Sequence, residues 1–262
     1  MPPPASDRAR FRSVGHVSEI PRTWTVTARN LPEHASNPIH TDAGAAAAGF
    51  PSALVAGVTT YAYLTHPLVA AWGLDWLTRG GGEVRFRAPV FAETQVDCVP
   101  TVVAADDVLV EAVCASQPIN PRVTFRAVRD AGPPPAMRPG EALASRQFVL
   151  ADRFGADYGW RAGDDLDLYV RDGVVHPAVW PAIANRIMSA DLVNGSWIHT
   201  RSIIRHHAPG PAGATVDVHA TVIDRFERHG QRAVIDVLIE HEGHPIATLE
   251  HEAIVDLTTA TG

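Results

Sequence analysis

The chain has 262 residues, 46% hydrophobic and 19% charged. That is enough to bury a core, as one large domain or two fused small ones. A formal charge of −7 and no run of Lys and Arg argue against a nucleic-acid surface, and no stretch approaches the ~20 apolar residues of a membrane span. Cys98 and Cys114 match no metal or redox spacing and read as buried free thiols of a reducing cytosol. Residues 1–11 are polar and proline-rich, without the apolar core of a signal peptide, so a cytoplasmic protein with a loose N-terminal arm is expected.

Residues 23–29 (TWTVTAR) alternate apolar and polar and predict a strand. A loop follows, and Asn37-Pro38-Ile39-His40 forms a turn that fixes a histidine ahead of an alanine-rich helix over 42–48. Residues 52–72 are apolar around most of the circumference and predict a buried helix, with Pro67 kinking it or ending it early. Gly57 has no capping reason to be there, so close approach of a ligand or another backbone is expected at that point. Strands are predicted over 83–88, 94–103, 108–115 and 121–128. A proline-rich connector over 131–141 follows. The second half predicts a strand from 147, a helix over 177–192, and strands over 197–207, 215–225, 232–241 and 245–257. Hairpin turns fall at His229-Gly230 and Glu242-Gly243.

A constant shift of 120 sets Arg85, Ala88, Pro89, Val96 and Asp97 on Arg205, Ala208, Pro209, Val216 and Asp217, and Val55-Ala56-Gly57 on Val175-His176-Pro177. One offset across helix start and sheet predicts two copies of one unit. The expected division is an arm over 1–15, a first unit over 16–130, a linker over 131–144 and a second unit over 145–262.

A helix wrapped by an antiparallel sheet, doubled, is the α+β double hotdog arrangement. Within it, Asn37-Pro38-Ile39-His40 followed by an alanine-rich segment and Gly49-Phe50-Pro51 resembles the MaoC-like dehydratases, or (R)-specific enoyl-CoA hydratases. The strand Val84-Arg85-Phe86-Arg87-Ala88-Pro89-Val90 is similar to theirs as well. The resemblance implies addition or removal of water at the 2,3-position of an acyl thioester carried by CoA or acyl carrier protein; no cofactor and no metal are expected. It makes His40 the acid/base, Asn37 a loop organiser, and Ala56 and Gly57 the helix start whose amide meets the thioester oxygen. The family aspartate falls on Ala35, which leaves Glu33 first and His34 second as replacements, ahead of Ser36 and Asp42. In the second half Asp164 keeps the aspartate and Tyr169 stands where the histidine belongs. That half is expected to support the fold and wall the pocket, with His176 able to donate to a ligand carbonyl.

The remaining histidines, such as His241 and His244 in HEGH, lack zinc-helix spacing, and Asp164, Asp165 and Asp167 lack that of an EF-hand. Arg85 and Arg87 read as the solvated face of a strand. A hotdog thioesterase and a degenerate acyl-binding subunit stand as alternatives, the first weakened by the lack of Asp or Glu in 52–72. A monomer with an internal pseudo-dimer, or a homodimer, is expected.

Overall fold

A computed structural model describes residues 20–115, 119–193 and 195–256; the N-terminal arm expected over 1–15 lies outside the described residues. The first half runs β1 (Trp24–Thr27), two one-turn 3-10 helices (Pro32–His34 and Pro38–His40), α1 (Asp42–Ala47), α2 (Gly57–Arg79), β2 (Gly81–Phe86), β3 (Gln95–Ala104), β4 (Asp107–Cys114) and β5 (Val123–Val128). The second runs β6 (Glu141–Ala142), β7 (Arg146–Val149), a 3-10 turn (Asp152–Phe154), α3 (Tyr158–Ala162), α4 (Leu168–Arg171) and α5 (Val179–Asp191). It closes with β8 (Ile198–His206), β9 (Thr215–Glu227), β10 (Gln231–His241) and β11 (His244–Asp256).

These strands form one antiparallel sheet in the order β1-β3-β4-β5-β2-β8-β11-β10-β9-β6, with β7 also paired to β9. The alternation that marks the strands in sequence is their burial pattern: Val108, Val110, Ala112 and Cys114 of β4 face the core and their neighbours do not. The long helices α2 and α5 pack on this sheet and against each other. The fold is a double hotdog.

The repeat is written into the backbone. At the β2–β8 seam Glu83 pairs with Ile203, its own counterpart, and Gly81–Arg205 is mirrored by Arg85–Arg201. The bridges Leu54–Phe91 and Val174–Pro211 recur at the same offset, as do the bonds Val55 N to Val90 O and Val175 N to Gly210 O.

Three features differ from the expectation. The first long helix starts at Gly57, because Leu54 is extended and bridged to Phe91. Pro67 neither ends nor kinks it: α2 is buried almost all round, and that packing outweighs the one lost backbone bond. The break falls at Gly73, whose φ of 57° and ψ of −144° suit glycine alone. The segment 152–171 carries short helices too brief to show a period. Both expected hairpins turn through paired positive φ values, 52° and 111° at His229-Gly230 and 52° and 75° at Glu242-Gly243. Cys98 and Cys114 are buried and unbridged, and no helix among the described residues is long and apolar enough to cross a membrane.

Candidate active site

The loop carrying His40 is held by short-range chemistry. Pro38 opens the one-turn helix with its φ already set, and His40 N bonds back to the Asn37 carbonyl at 3.1 Å. Thr41 caps α1, its Oγ1 accepting from Gly44 N at 3.2 Å and donating to Pro38 O at 2.8 Å. Gly44 is obligatory, since a Cβ there would lie 2.0 Å from Pro38 O. Asp42, a candidate acid by sequence, accepts from Ala53 N at 2.9 Å and so ties α1 to the segment before α2. Asn30 clamps the other side, donating to Leu54 O at 2.9 Å and accepting from Ala56 N at 3.3 Å.

His40 Nδ1 lies 2.8 Å from the Leu54 carbonyl. A carbonyl only accepts, so the proton sits on Nδ1 and Nε2 carries the lone pair. Burial pulls its pKa below the ordinary imidazole value, against the opposing pull of the Leu54 bond. His40 is therefore a neutral base at pH 7. Two cavities meet at it. One, of about 370 Å³, has a mixed lining, with Glu33, His34, Arg153 and Arg186 beside Phe154 and Val193. The second, of about 260 Å³, is mostly apolar, with Phe50, Leu54, Gly57, Phe86, Ile198 and Ile254 in its wall. Asn37, His40, Asn185 and Trp197 line both.

The other candidates are placed as follows. Asn37 is buried and donates from Nδ2 to Trp197 O at 2.9 Å, tying the first loop to the second unit. Gly57 begins α2 with no side-chain cap ahead of it and lines the apolar cavity, which places the start of the helix at that cavity. A Cβ at Gly57 would lie 3.1 Å from His199 Nδ1 and 3.2 Å from Phe86 Cε1, the close approach that the sequence suggested. The Ala56 amide is taken by Asn30. Glu33 is bound by Arg161 at 2.5 Å, and the guanidinium overcomes the effect of burial to hold the carboxyl below its usual range. His34 Nε2 contacts Thr59 Oγ1 at 3.1 Å; burial first, then the neighbouring His40, pulls its pKa down to about 4. Ala35 is exposed. His176 is not brought to either cavity: it is wholly buried, its Nε2–H donating to Asp164 Oδ2 at 3.2 Å and its Nδ1 accepting from Ala178 N at 3.1 Å.

Residues 24–116 match the sequence model of the family described as MaoC like domain. These residues are a MaoC-like domain. No curated protein matches the sequence of the chain. Solved structures match across both units. A MaoC domain protein from Chloroflexus aurantiacus has a TM-score of 0.61 at 10% identity, over 90% of this chain and 95% of that one. A conserved hypothetical protein from Mycobacterium tuberculosis with a double hotdog fold has a TM-score of 0.60 at 10% identity, over 90% and 96%. The dehydratase domain of RzxB from Pseudomonas fluorescens has a TM-score of 0.55 at 15% identity, over 90% and 96%.

Against the MaoC-like domain, the second unit shows what its counterpart loop became. Leu54 N bonds to Ile39 O, and Val174 N, its counterpart, bonds to Tyr169 O. Tyr169 thus stands opposite Ile39, one residue short of the histidine, and the next residue, Val170, is 67% exposed. Tyr169 and Asp164 are buried together, with Tyr169 OH directed at Asp164 Oδ2 at 3.5 Å. His66 of α2 reaches over to Asp165 at 2.7 Å and Asp164 at 3.8 Å. Among the described residues this trio is the one group whose donor atoms lie close enough to share a cation, and in the fold they pair with one another.

Four residues of the site went unread in the sequence: Asn30, Asn185, Trp197 and His199. Each reaches the MaoC-like cleft from another loop or from the second unit. Asn185 alone left a trace, as an amide in the apolar helix PAIANRIM.

Proposed function

We propose that the protein adds or removes water at the 2,3-position of an acyl thioester, carried by CoA or acyl carrier protein. His40 acts as acid/base and the Gly57 amide as donor to the thioester oxygen. The observation that carries this reading is the fixed tautomer of His40, which leaves Nε2 unprotonated on a ring that lines two adjoining cavities, one of mixed lining and one mostly apolar. Hydration needs a base for the water at C3, a proton at C2, and a dipole where enolate charge grows. The apolar cavity suits an acyl chain. The N-terminus of α2, whose Gly57 lines that cavity, suits a thioester carbonyl. The first unit then carries the chemistry and the second walls the cleft through α5 and Trp197. Unbridged, buried thiols fit a reducing, cytoplasmic setting.

A thioesterase would call for a helix carboxylate at the cleft. Those of the long helices are bound elsewhere, Asp75 by Arg79 and Arg129 and Asp191 by Arg146. The test is hydration of a panel of trans-2-enoyl-CoA thioesters, followed by loss of enone absorbance. Turnover by the wild type that disappears in His40→Ala is the expected result. No turnover on any chain length by folded protein, with acyl-CoA still bound, would replace the hydratase reading by that of an acyl binder.

A further inference from the structure

A water that adds at C3 needs a second group beside His40, one that takes its other hydrogen without keeping the proton. The acids of this loop are spent: Glu33 is bound to Arg161, Asp42 accepts from Ala53 N, and position 35 is alanine. His34 is placed differently. Its carbonyl accepts from Asn37 N at 3.0 Å, and the Asn37 carbonyl accepts from His40 N at 3.1 Å. Consecutive turns thus carry both imidazoles into the wall of one cavity. The two rings meet edge to face, their centroids 6.0 Å apart. A pair of hydrogen bonds of about 2.8–3.0 Å through a single water fits a separation of that size. Thr59 of α2, wholly buried, engages one His34 nitrogen, its Oγ1 lying 3.1 Å from Nε2. Nδ1 of His34 and Nε2 of His40 have no bonding partner among the described residues. Neither is sealed from solvent, as both ring nitrogens of His206 are. Each histidine therefore keeps one nitrogen open.

We infer that His34 Nδ1 accepts one hydrogen of the reacting water while the other points at His40 Nε2, with His34 Nε2–H donated to Thr59 Oγ1. This rests on the hydratase reading above. Burial, then the neighbouring His40, pulls the His34 pKa down to about 4, so its lone pair holds the water without taking a proton. The Leu54 carbonyl, by contrast, supports positive charge on His40. In hydration, the water oxygen bonds to C3 as one proton passes to His40 Nε2. The C2=C3 electron pair moves toward the thioester, and His40 returns that same proton to C2. The second water hydrogen remains on the new hydroxyl, so one water is consumed and both histidines end as they began.

The experiment combines kinetics on His34→Ala and His34→Asn with NMR of the ring nitrogens in the wild type at pH 7. His34→Ala should lower kcat by about tenfold, with KM within about twofold. Asparagine sets an amide oxygen near the place of Nδ1 but is too short to keep the Thr59 contact. His34→Asn should therefore recover a few-fold of the lost rate, whereas a role confined to the Thr59 contact would leave both variants equally slow. NMR should place the His34 proton on Nε2, a result that needs neither variant nor substrate. Wild-type kcat in His34→Ala, beside an inactive His40→Ala, would overturn the role of His34 and leave the hydratase reading standing. So would equal losses in the two variants, or a His34 proton found on Nδ1. A wild type that hydrates no enoyl thioester would overturn the hydratase reading, and the water-holding role with it.

Discussion

The two units place the same kind of loop in opposite conditions. Around the first, His40 and Asn37, with Asn185 from the second unit, line two open cavities. Around the second, Asp164, His176 and Tyr169, with His66 reaching over from α2 of the first unit, turn polar atoms toward one another. Polar groups that satisfy each other stabilise a fold. Groups left facing space are ready for a ligand and cost stability until one arrives. The duplicated chain does each job once.

The sharpest way to break this contrast is a pair of variants. His40→Ala should reduce turnover by roughly 10²–10⁴-fold with Tm nearly unchanged. Asp164→Ala should do the reverse, costing about 3 kcal/mol or more in urea unfolding because it strands His176 and His66. Turnover per folded molecule should survive. If Asp164→Ala abolished turnover in folded protein, the second loop would belong to the chemistry after all.

Next comes Gly44→Ala, which drives a Cβ into the Pro38 carbonyl. A loss of about 1–3 kcal/mol in urea unfolding is expected, together with reduced kcat as the His40 turn shifts. The second unit goes from Tyr169 to Val174 without an equivalent of α1, so this weakness belongs to the first loop alone.

Acid sensitivity should weigh on the other side. Burial pulls His206 and His251 of the second unit down to about 3, and burial with His40 pulls His34 down to about 4. Between those values and the unfolded value of 6.5 the unfolded chain binds the extra protons. Stability is therefore full above pH 6.5 and is lost as pH falls below it, by about 1.4 kcal/mol per pH unit for each such group. Urea midpoints at pH 7 and pH 5 measure this. His40, lowered in the same direction, should keep the rate constant on the acid side to below pH 6.5. The smallest effect expected is that of Gly57→Ala, whose methyl would crowd His199 and Phe86. KM for longer acyl chains should rise a few-fold while short ones are spared.

Much of the fold was legible because strand alternation and the constant offset are local or periodic signals. The turn at Asn37-Pro38-Ile39-His40 was equally readable, being set by four adjacent residues. The rest of the cleft was hidden by distance along the chain. Arg161, which takes Glu33 out of use, lies 128 residues away, and Trp197, which anchors Asn37, lies 160 away. Pro67 misled because the penalty for proline is local while the packing that offsets it is tertiary. The helices of 158–171 are only 4 and 5 residues long, less than two turns, so no periodicity exists to find.

The β2–β8 seam has an evolutionary consequence. In a homodimer paired across a twofold axis, any substitution appears in both subunits at once. A tyrosine and two aspartates that seal one cleft would seal the other too. Here the axis passes between Glu83 and Ile203 of a single chain, so each loop mutates independently. Covalent linkage makes the asymmetry heritable, and selection can empty one cleft while closing its twin.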